Sequence, residues 1–182
     1  MRKVIFAINV SLDGCCDHTK FNPDVETYDY FTNLVRSADT FVYGRKTYQL
    51  MVPYWPDVAK NRSGDKAEND YADAFDAVKK IIVFSKSLDN AAEDKTEIFR
   101  TGLQDTILKL KQEEGKNILT GGPNIASQLI ALGLIDEYHL MVHPIVVGGG
   151  TRLFEGISPL PLKLLETRTL KSGCMLLRYA NR

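Results

Sequence analysis

Two kinds of hydrophobic pattern alternate along the chain. Short, almost wholly apolar runs, such as residues 3–10, are typical of strands buried on both faces of a sheet. Strands are predicted at residues 3–10, 40–43, 80–84, 97–100, 117–120, 162–168 and 175–180, and residues 138–142 and 144–147 form two strands or one bent strand. Between these runs, apolar residues recur at helical spacing, for example at Tyr28, Phe31 and Leu34.

Local signals mark the ends of the predicted helices. Asn22-Pro23 is typical of an N-cap followed by proline at the first helical position, and Thr101 and Gln104 have the spacing of a capping box. Further helices are predicted to begin at residue 46 and to cover 66–78, 103–110 and 123–132. The helix over 66–78 is charged and is expected to be partly exposed. Prolines and a glycine predict a loop over residues 53–65.

Strands and helices alternate through most of the chain, and a pair of strands closes it. This order predicts a three-layer α/β/α fold, in which a mostly parallel central sheet has helices on both faces and an antiparallel edge at the carboxyl terminus. The length suits one domain with a sizeable core, so we expect a single domain over residues 1–182.

Composition narrows the class of protein. Of the 182 residues 44% are hydrophobic and the formal net charge is zero, so bulk electrostatics favours no nucleic-acid partner and any anion must be bound locally. No apolar run is long enough to span a membrane, and Asn9 and Asp13 favour a first strand over a signal peptide. Three cysteines, two of them adjacent, indicate a reducing, cytoplasmic setting.

Small, hydroxyl and basic residues follow three of the predicted strands. Gly44-Arg45-Lys46-Thr47 and Ser85-Lys86 offer cations and hydroxyls, and Gly121-Gly122 separates a strand from a helix that begins at Pro123. Open α/β sheets bind ligands at the carboxyl ends of their strands, and N–H groups at a helix start suit phosphate. Each segment alone also fits an ordinary turn. Together they predict a phosphorylated ligand, although neither a P-loop nor the G-x-G-x-x-G fingerprint is present.

The histidine and cysteine residues suggest a metal or redox site as an alternative to the phosphate-binding site. His139 and His143 share one face of a predicted strand, but no carboxylate or thiol completes a metal site at a typical spacing, so no metal is expected. Cys15-Cys16 could be redox-active, but small loop residues are favoured because no C-x-x-C is present.

Three aromatic residues and one aspartate near the amino terminus each have two possible roles, one in the site and one in the structure. Tyr48, Tyr54 and Trp55 could stack on a flat ring or pack in the core, and the core is favoured for Tyr48. Asp13 follows the first strand, where a carboxylate could relay a proton or fix the Asp-Gly turn. The turn is slightly favoured.

Taken in order, these segments resemble the dihydrofolate reductase superfamily, and most closely a standalone form of the C-terminal reductase domain of the bifunctional riboflavin-biosynthesis deaminase/reductase. The segments that carry the resemblance are Ser11-Leu12-Asp13-Gly14, Gly44-Arg45-Lys46-Thr47-Tyr48, Ser85-Lys86, Thr120-Gly121-Gly122-Pro123, Gly133-Leu134-Ile135-Asp136-Glu137 and Pro144-Ile145-Val146-Val147-Gly148-Gly149-Gly150. Each is weak alone, but six in the same order over essentially the whole chain indicate the family and its cofactor, NADPH.

The resemblance implies roles for particular residues. The basic and hydroxyl residues would bind the 2′-phosphate of NADPH, the glycine pair would bind its pyrophosphate, and Asp13 would be the candidate catalytic group. The implied cofactor-binding residues are Asn9, Gly44, Arg45, Lys46, Thr47, Ser85, Lys86, Thr120, Gly121, Gly122, Pro123 and Asn124. The implied substrate-binding residues are Asn9, Asp13, Tyr28 and Trp55. The resemblance also implies a homodimer.

Departures from the family pattern bear on the substrate. Dihydrofolate reductases carry an early helix carboxylate paired with a strand threonine, and these positions fall near Thr27 or Tyr28 and near Met141 here. We therefore expect an NADPH-dependent oxidoreductase that resembles 5-amino-6-(5-phosphoribosylamino)uracil reductase of riboflavin biosynthesis and transfers hydride to a small pyrimidine- or pterin-like substrate. Dihydrofolate reductase and a non-catalytic NADP-binding protein are the alternatives.

Overall fold

The computed structural model describes residues 1–182 as one eight-stranded sheet and five α-helices. In chain order the elements are β1 (Val4–Ser11), α1 (Val25–Arg36), β2 (Ala38–Gly44), α2 (Arg45–Asn61), α3 (Lys66–Asp76), β3 (Lys80–Phe84), β4 (Thr96–Phe99), α4 (Leu103–Gln112), β5 (Asn117–Thr120), α5 (Pro123–Ala131), β6 (Glu137–His143), β7 (Leu162–Thr169) and β8 (Met175–Asn181). A short 3-10 helix, His18–Lys20, follows β1. None of the helices combines the length and the apolar character needed to cross a membrane.

The strand order across the sheet is β4-β3-β2-β5-β1-β6-β8-β7. Strands β1 to β6 pair in parallel with one another, whereas β8 pairs antiparallel with both β6 and β7. The predicted mostly parallel sheet with an antiparallel carboxyl-terminal edge is therefore confirmed. Parallel pairing brings the carboxyl ends of β1, β2, β3 and β5 to one edge of the sheet, here called the carboxyl edge.

Helices cover both faces of the sheet. Alternate residues of β1 point to opposite sides, so that Ile5 packs into the core formed with α1, α2 and α3, and Phe6 packs into the core formed with α4 and α5. This explains why the strand is apolar at almost every position. The predicted three-layer α/β/α fold is confirmed.

The helices begin in two different ways. Asp24 caps α1 by accepting from the Thr27 N–H, and Asp65 caps α3 through a capping box with Glu68. In contrast, α2 and α5 begin after Gly44 and Gly122 without a side-chain cap. An N-terminal turn without a cap leaves backbone N–H donors available to a ligand.

Two predictions of helix starts are wrong. Asp24 rather than Asn22 caps α1, because its carboxylate accepts from both the N–H and the hydroxyl of Thr27, at 2.8 and 2.7 Å. The predicted capping box at Thr101 does not form, since α4 begins after Gly102 without a side-chain cap.

The predicted loop over residues 53–65 is also wrong, because α2 continues through Pro53 and Pro56 to Asn61. Val52 and Val58 are buried along this helix. Their burial offsets the unfavourable effect of proline on the helix, which shows packing overriding local propensity.

The charged helix α3 is partly exposed, as expected, since Asp73 is exposed and Phe75 is buried. One further segment differs from the sequence-based expectation. Residues 144–147 form no strand, and the N–H of Val147 instead donates to the Asp13 carboxylate. The loop is therefore held by this side-chain contact and by a backbone hydrogen bond, from the Leu12 N–H to the Ile145 carbonyl at 2.9 Å.

Candidate functional site

A cleft of about 570 Å³ opens at the carboxyl edge, over the ends of β1, β2 and β5 and between α1 and α2. Such strand ends are where open α/β sheets bind ligands. The predicted site residues that line the cleft are Asn9, Tyr28, Thr47, Trp55, Thr120, Gly121, Gly122 and Pro123. These residues are far apart in sequence, and the fold brings them to one cavity.

The remaining predicted site residues lie outside the cleft lining: Asp13, Gly44, Arg45, Lys46, Ser85, Lys86 and Asn124. Gly44 and Phe84 are register partners in neighbouring strands, so the segments that follow them leave the sheet side by side. We call Arg45, Lys46 and Lys86 the basic edge. Lys46 and Lys86 are exposed and take part in no ion pair, and Arg45 donates to Gln49 at 2.9 Å. Cations without a carboxylate partner remain available to an anion.

The starts of α2 and α5 lie against each other beside the basic edge. Gly122 has a φ of 89°, and a Cβ at this position would overlap the Thr47 hydroxyl. The two uncapped helix starts are thus held in contact by a residue that must be glycine. Their first-turn N–H groups and helix dipoles favour an anion at this place.

The hydroxyl and amide groups predicted near this edge have partners within the protein. Ser85 Oγ accepts from the Leu88 N–H at 3.0 Å, and Thr120 Oγ1 donates to the Val42 carbonyl at 2.8 Å. Asn124 is exposed and its Oδ1 accepts from Gln128 at 3.2 Å. Ser85 and Thr120 therefore shape the turn and the sheet beside the site.

Aromatic residues from three helices form one wall of the cleft. Trp55 packs edge-on against Tyr71 and Tyr54, with ring centroids 4.5 and 4.9 Å apart, and Tyr28 lies 6.3 Å from Trp55. Burial foremost, and then the nearby Glu68 carboxylate, raises the pKa of Tyr28 to about 12, so its hydroxyl stays protonated at neutral pH.

Tyr48 belongs to the core, as the sequence favoured, since it is buried and its hydroxyl accepts from the Ala92 N–H at 2.7 Å. Sequence reasoning missed Tyr71 because the charged residues of α3 predicted a partly exposed helix without indicating which residues face the cleft. The four-residue spacing of Tyr71 and Phe75 is the signal that marks its buried face.

Asn9 is supported from behind by a histidine and a cysteine. His143 Nε2 lies 2.9 Å from Asn9 Oδ1, and Cys174 Sγ lies 3.4 Å from His143 Nδ1. Burial lowers the pKa of His143, which favours the neutral ring. A neutral ring that donates from Nε2 to Asn9 accepts the Cys174 proton at Nδ1, and the NH₂ group of Asn9 is then left for the cleft. Nothing in the local spacing of Cys174 predicts this contact, because antiparallel pairing of β6 and β8 creates it.

Asp13 ties two loops together. Its carboxylate accepts from the Ser11 hydroxyl at 2.7 Å and from the N–H groups of Val147 and Gly148 at 3.0 and 2.9 Å. The Ser11 hydrogen bond first, and then the two backbone donors, hold the pKa of Asp13 well below its usual range. A carboxylate held in this way fits the interpretation in which Asp13 fixes the turn.

No aspartate or glutamate lines the cleft. Asp24 approaches it through Thr27, whose hydroxyl donates to Asp24 Oδ1 at 2.7 Å and which is itself a buried lining residue. Met141 is fully buried in a separate cluster with Leu170 and Leu176. The carboxylate and hydroxyl pair of dihydrofolate reductases has no counterpart among the lining residues.

A second cavity, of about 630 Å³, lies at the opposite, amino-terminal edge of the parallel strands, between α1 and the β6–β8–β7 strands. Glu137 accepts from Lys3, His139 and Arg178 at 2.6, 3.0 and 3.1 Å. Arg178 also donates to Glu166 at 2.7 Å. The cations that line the cavity, Lys3, Arg168 and Arg178, therefore already pair with carboxylates. Across the whole chain, no three His, Cys, Asp or Glu side chains come together as a metal site would require.

Comparison with known proteins gives one family and a consistent set of folds. The family model described as the RibD C-terminal domain matches residues 2–176. The uncharacterized protein YyaP of Bacillus subtilis is 32% identical over 187 residues, which cover 98% of this chain and 94% of YyaP.

Solved structures share the fold at low sequence identity. A putative riboflavin biosynthesis protein from Shewanella sp. PV-4 superposes with a TM-score of 0.75 at 22% identity and covers all of this chain and 99% of that protein. The diaminohydroxyphosphoribosylaminopyrimidine deaminase/5-amino-6-(5-phosphoribosylamino)uracil reductase of Thermotoga maritima gives a TM-score of 0.69 at 15% identity, and this chain matches 57% of its length.

Proposed function

Because the chain belongs to the RibD C-terminal domain family, we propose that it is an NADPH-dependent reductase of a small pyrimidine- or pterin-like ring. Membership of the family supports a reductase function of the riboflavin-biosynthesis type. The use of NADPH and the kind of substrate are what we propose for this chain. The observation that carries it is the pair of uncapped, glycine-started helices beside unpaired cations, at the mouth of an aromatic cleft.

The residues at the carboxyl edge fit the cofactor. The N–H groups at the starts of α2 and α5 would hold the pyrophosphate, where Gly121 and Gly122 keep side chains away from the approaching phosphates. The basic edge would hold the 2′-phosphate, since its two lysines have no carboxylate partner. The same charges give a physical reason to select NADPH over NADH.

NADPH, when bound, supplies a hydride for the carbon of a conjugated C=N or C=O bond, and a proton added to the heteroatom completes the reduction. The protein orients the reactants and excludes water. Asn9 offers an amide donor from β1, and the Tyr28 hydroxyl, which donates to Glu68 at 3.4 Å, stays protonated beside the cleft. No lining carboxylate is available to pass the proton, so we propose that solvent supplies it to the ring.

Trp55 gives the test of this proposal, because it is the single tryptophan and lines the cleft. Titration with NADPH and with NADH, followed by Trp55 fluorescence, should show saturable quenching and tighter binding of NADPH. NADPH oxidation is then measured with aminouracil and dihydropterin acceptors. Turnover of at least one acceptor is expected.

The outcomes of this test separate the alternatives. Absence of NADPH binding contradicts the proposal. Tight NADPH binding with no turnover on any ring supports the non-catalytic NADP-binding alternative. Efficient turnover of dihydrofolate supports dihydrofolate reductase, for which the cleft lacks the lining carboxylate.

We also propose that two copies pair through the carboxyl-terminal edge of the sheet, at β7 and β8. Leu164 and Met175, on β7 and β8, are 51% and 41% exposed, and β7 is an edge strand. An exposed apolar edge favours association with a partner. Light scattering during size-exclusion chromatography should give the mass of a dimer, and the mass of a monomer would contradict the pairing.

A further inference from the structure

We infer that the substrate end of the cleft takes an uncharged flat ring and excludes a phosphate ester. The inference rests on the proposed reductase function, which assigns the other end of the cleft to the cofactor. The substrate end is defined by Phe21, Thr27, Tyr28, Phe31 and Trp55.

The whole lining of the cleft carries no lysine, arginine, aspartate or glutamate. Of its 25 residues 16 are hydrophobic, and His18 is the one histidine among them. Lys20, in the same 3-10 helix, is exposed and is not a lining residue. The substrate end therefore holds no fixed charge.

The walls of the substrate end suit a planar conjugated ring. Tyr28, Trp55 and Tyr71 pack edge to face, and Phe21 stacks on His143 with ring centroids 4.5 Å apart and an interplanar angle of 17°. Aromatic walls of this kind contribute apolar area and ring–ring contacts. Asn9 and Thr27 are the polar groups that could orient a ring through its carbonyl or amino substituents.

A phosphate ester has no partner at this end. Moving a charged group from water into an apolar cleft is unfavourable unless cations or N–H donors replace the lost hydration. The groups that could do so belong to the basic edge and to the starts of α2 and α5, which the cofactor phosphates occupy in the proposed function. The Thermotoga maritima relative is named for a phosphoribosylamino substrate. This chain is thus inferred to act on a ring without that phosphate.

The test compares a ring with and without its phosphate. The first pair is 5-amino-6-(5-phosphoribosylamino)uracil and the same compound after phosphatase treatment. The second pair is dihydroneopterin triphosphate and dihydroneopterin. Each is titrated against the protein saturated with NADP⁺ and against the protein alone, at about pH 8, where an ordinary histidine is neutral. Quenching of Trp55 is the readout, so no turnover is needed.

The neutral member of at least one pair should bind, and it should bind about tenfold or more tightly than its phosphorylated counterpart, because the phosphate loses hydration without gaining charged partners. Equal or tighter binding of the phosphorylated members overturns the inference. Failure of both neutral members to quench Trp55 also overturns it. The titrations of the protein alone report the preference between neutral and phosphorylated rings even if NADPH does not bind. A failure of NADPH to bind would therefore contradict the proposed function without deciding the inference about the ring.

A cation added to the cleft tests whether the lack of cations causes the preference for an unphosphorylated ring. Leu50 lines the cleft and is 43% exposed, and Leu108, on α4 at the opposite face of the sheet, is 41% exposed. Leu50→Arg should raise the affinity for the phosphorylated members about tenfold or more, whereas the control Leu108→Arg should leave it unchanged. Equal behaviour of the two variants would show that charge does not set the preference, and this result would overturn the inference.

Discussion

The two cavities on the α1 face of the sheet have similar volumes and opposite chemistry. In the amino-edge cavity, about 630 Å³, every lining lysine and arginine pairs with a carboxylate, and Glu137 alone accepts from three donors. The carboxyl-edge cleft, about 570 Å³, is apolar and aromatic, and unpaired lysines and uncapped helix starts lie at its mouth.

The comparison teaches that the number of charges does not mark a binding site. Charges that satisfy one another hold strands and helices in place, and they offer an incoming anion little gain. Donors without a partner offer the full gain of a new hydrogen bond. On this basis the less charged cavity is the better candidate for a phosphorylated cofactor.

The largest expected effect is on cofactor selection. Arg45→Ala with Lys86→Ala should reduce the preference for NADPH over NADH by roughly a hundredfold or more, because each charge-assisted contact to phosphate contributes about 1.5–3 kcal/mol. The control is Lys3→Ala with Arg168→Ala, which removes two cations from the amino-edge cavity. Titration of Trp55 fluorescence gives both affinities. A preference that survives the first pair of substitutions, or falls equally with the second, would contradict the comparison.

The next effect is on the contact between the two helix starts. Gly122→Ala should lower the free energy of unfolding by about 2–5 kcal/mol, because alanine is strained at a φ of 89° and its methyl would overlap Thr47. Urea unfolding gives the change.

Gly121→Ala is the matched variant for this position. Its Cβ would lie 3.4 Å from the Ala7 carbonyl oxygen, a contact that small shifts can absorb. This variant should stay folded and lose cofactor affinity about tenfold, since a methyl then stands where the phosphates approach. Normal NADPH affinity in folded Gly121→Ala would contradict the placement of the pyrophosphate.

The amino-edge cavity should affect stability rather than ligand binding. Burial acts to raise the pKa of Glu137, but hydrogen bonds from Lys3, His139 and Arg178 outweigh it and lower the pKa to about 2. Since the ordinary value is 4.5, the ionised form contributes about 3 kcal/mol to stability. Glu137→Gln should lower the free energy of unfolding near neutral pH by about that amount and leave NADPH affinity unchanged.

The sign of the pH dependence follows from the lowered pKa. The contribution of Glu137 is fully present above about pH 4.5 and is lost as the pH falls towards about 2. Unfolding measured across this window should show a smaller decline for Glu137→Gln than for the unsubstituted protein. Parallel curves would show that the network does not stabilise the ionised glutamate.

The smallest effect concerns the support behind Asn9. Cys174→Ala removes the proton donor to His143 Nδ1, so the His143 ring and the Asn9 amide become less well fixed. Cofactor affinity should fall a few-fold, in line with about 0.5–1.5 kcal/mol for one hydrogen bond. Cys174→Ser, which keeps a donor, should restore most of the affinity. Equal losses in both variants would indicate a packing effect instead.

Sequence patterns were sufficient for the architecture because both faces of the central strands are buried, which leaves a clear apolar signal. The strands at residues 80–84 and 117–120 are found where the pattern predicts them. The course of α2 through Pro53 and Pro56 could not be predicted, because burial of Val52 and Val58 decides it. Local sequence patterns include the effect of proline on a helix, but they carry no information about tertiary packing.

In the candidate site, too, the sequence identified some residues and not others. The glycine pair and the basic segments were visible because phosphate chemistry uses residues that are close in sequence. The contact of Cys174 with His143 and the place of Tyr71 in the cleft were not visible, since each depends on elements joined by the sheet and the helix layer. For Asp13 the sequence left a proton relay and a turn open and slightly favoured the turn, and its hydrogen bonds from Ser11, Val147 and Gly148 tie two loops together.

The most direct test of the account is a crystal structure of the protein with NADP⁺. The account predicts the pyrophosphate against the N–H groups at the starts of α2 and α5, and the 2′-phosphate within hydrogen-bonding distance of the basic edge. The nicotinamide should lie in the aromatic cleft near Asn9. A cofactor bound in the amino-edge cavity, or one whose phosphates lie away from both helix starts, would contradict the central claim.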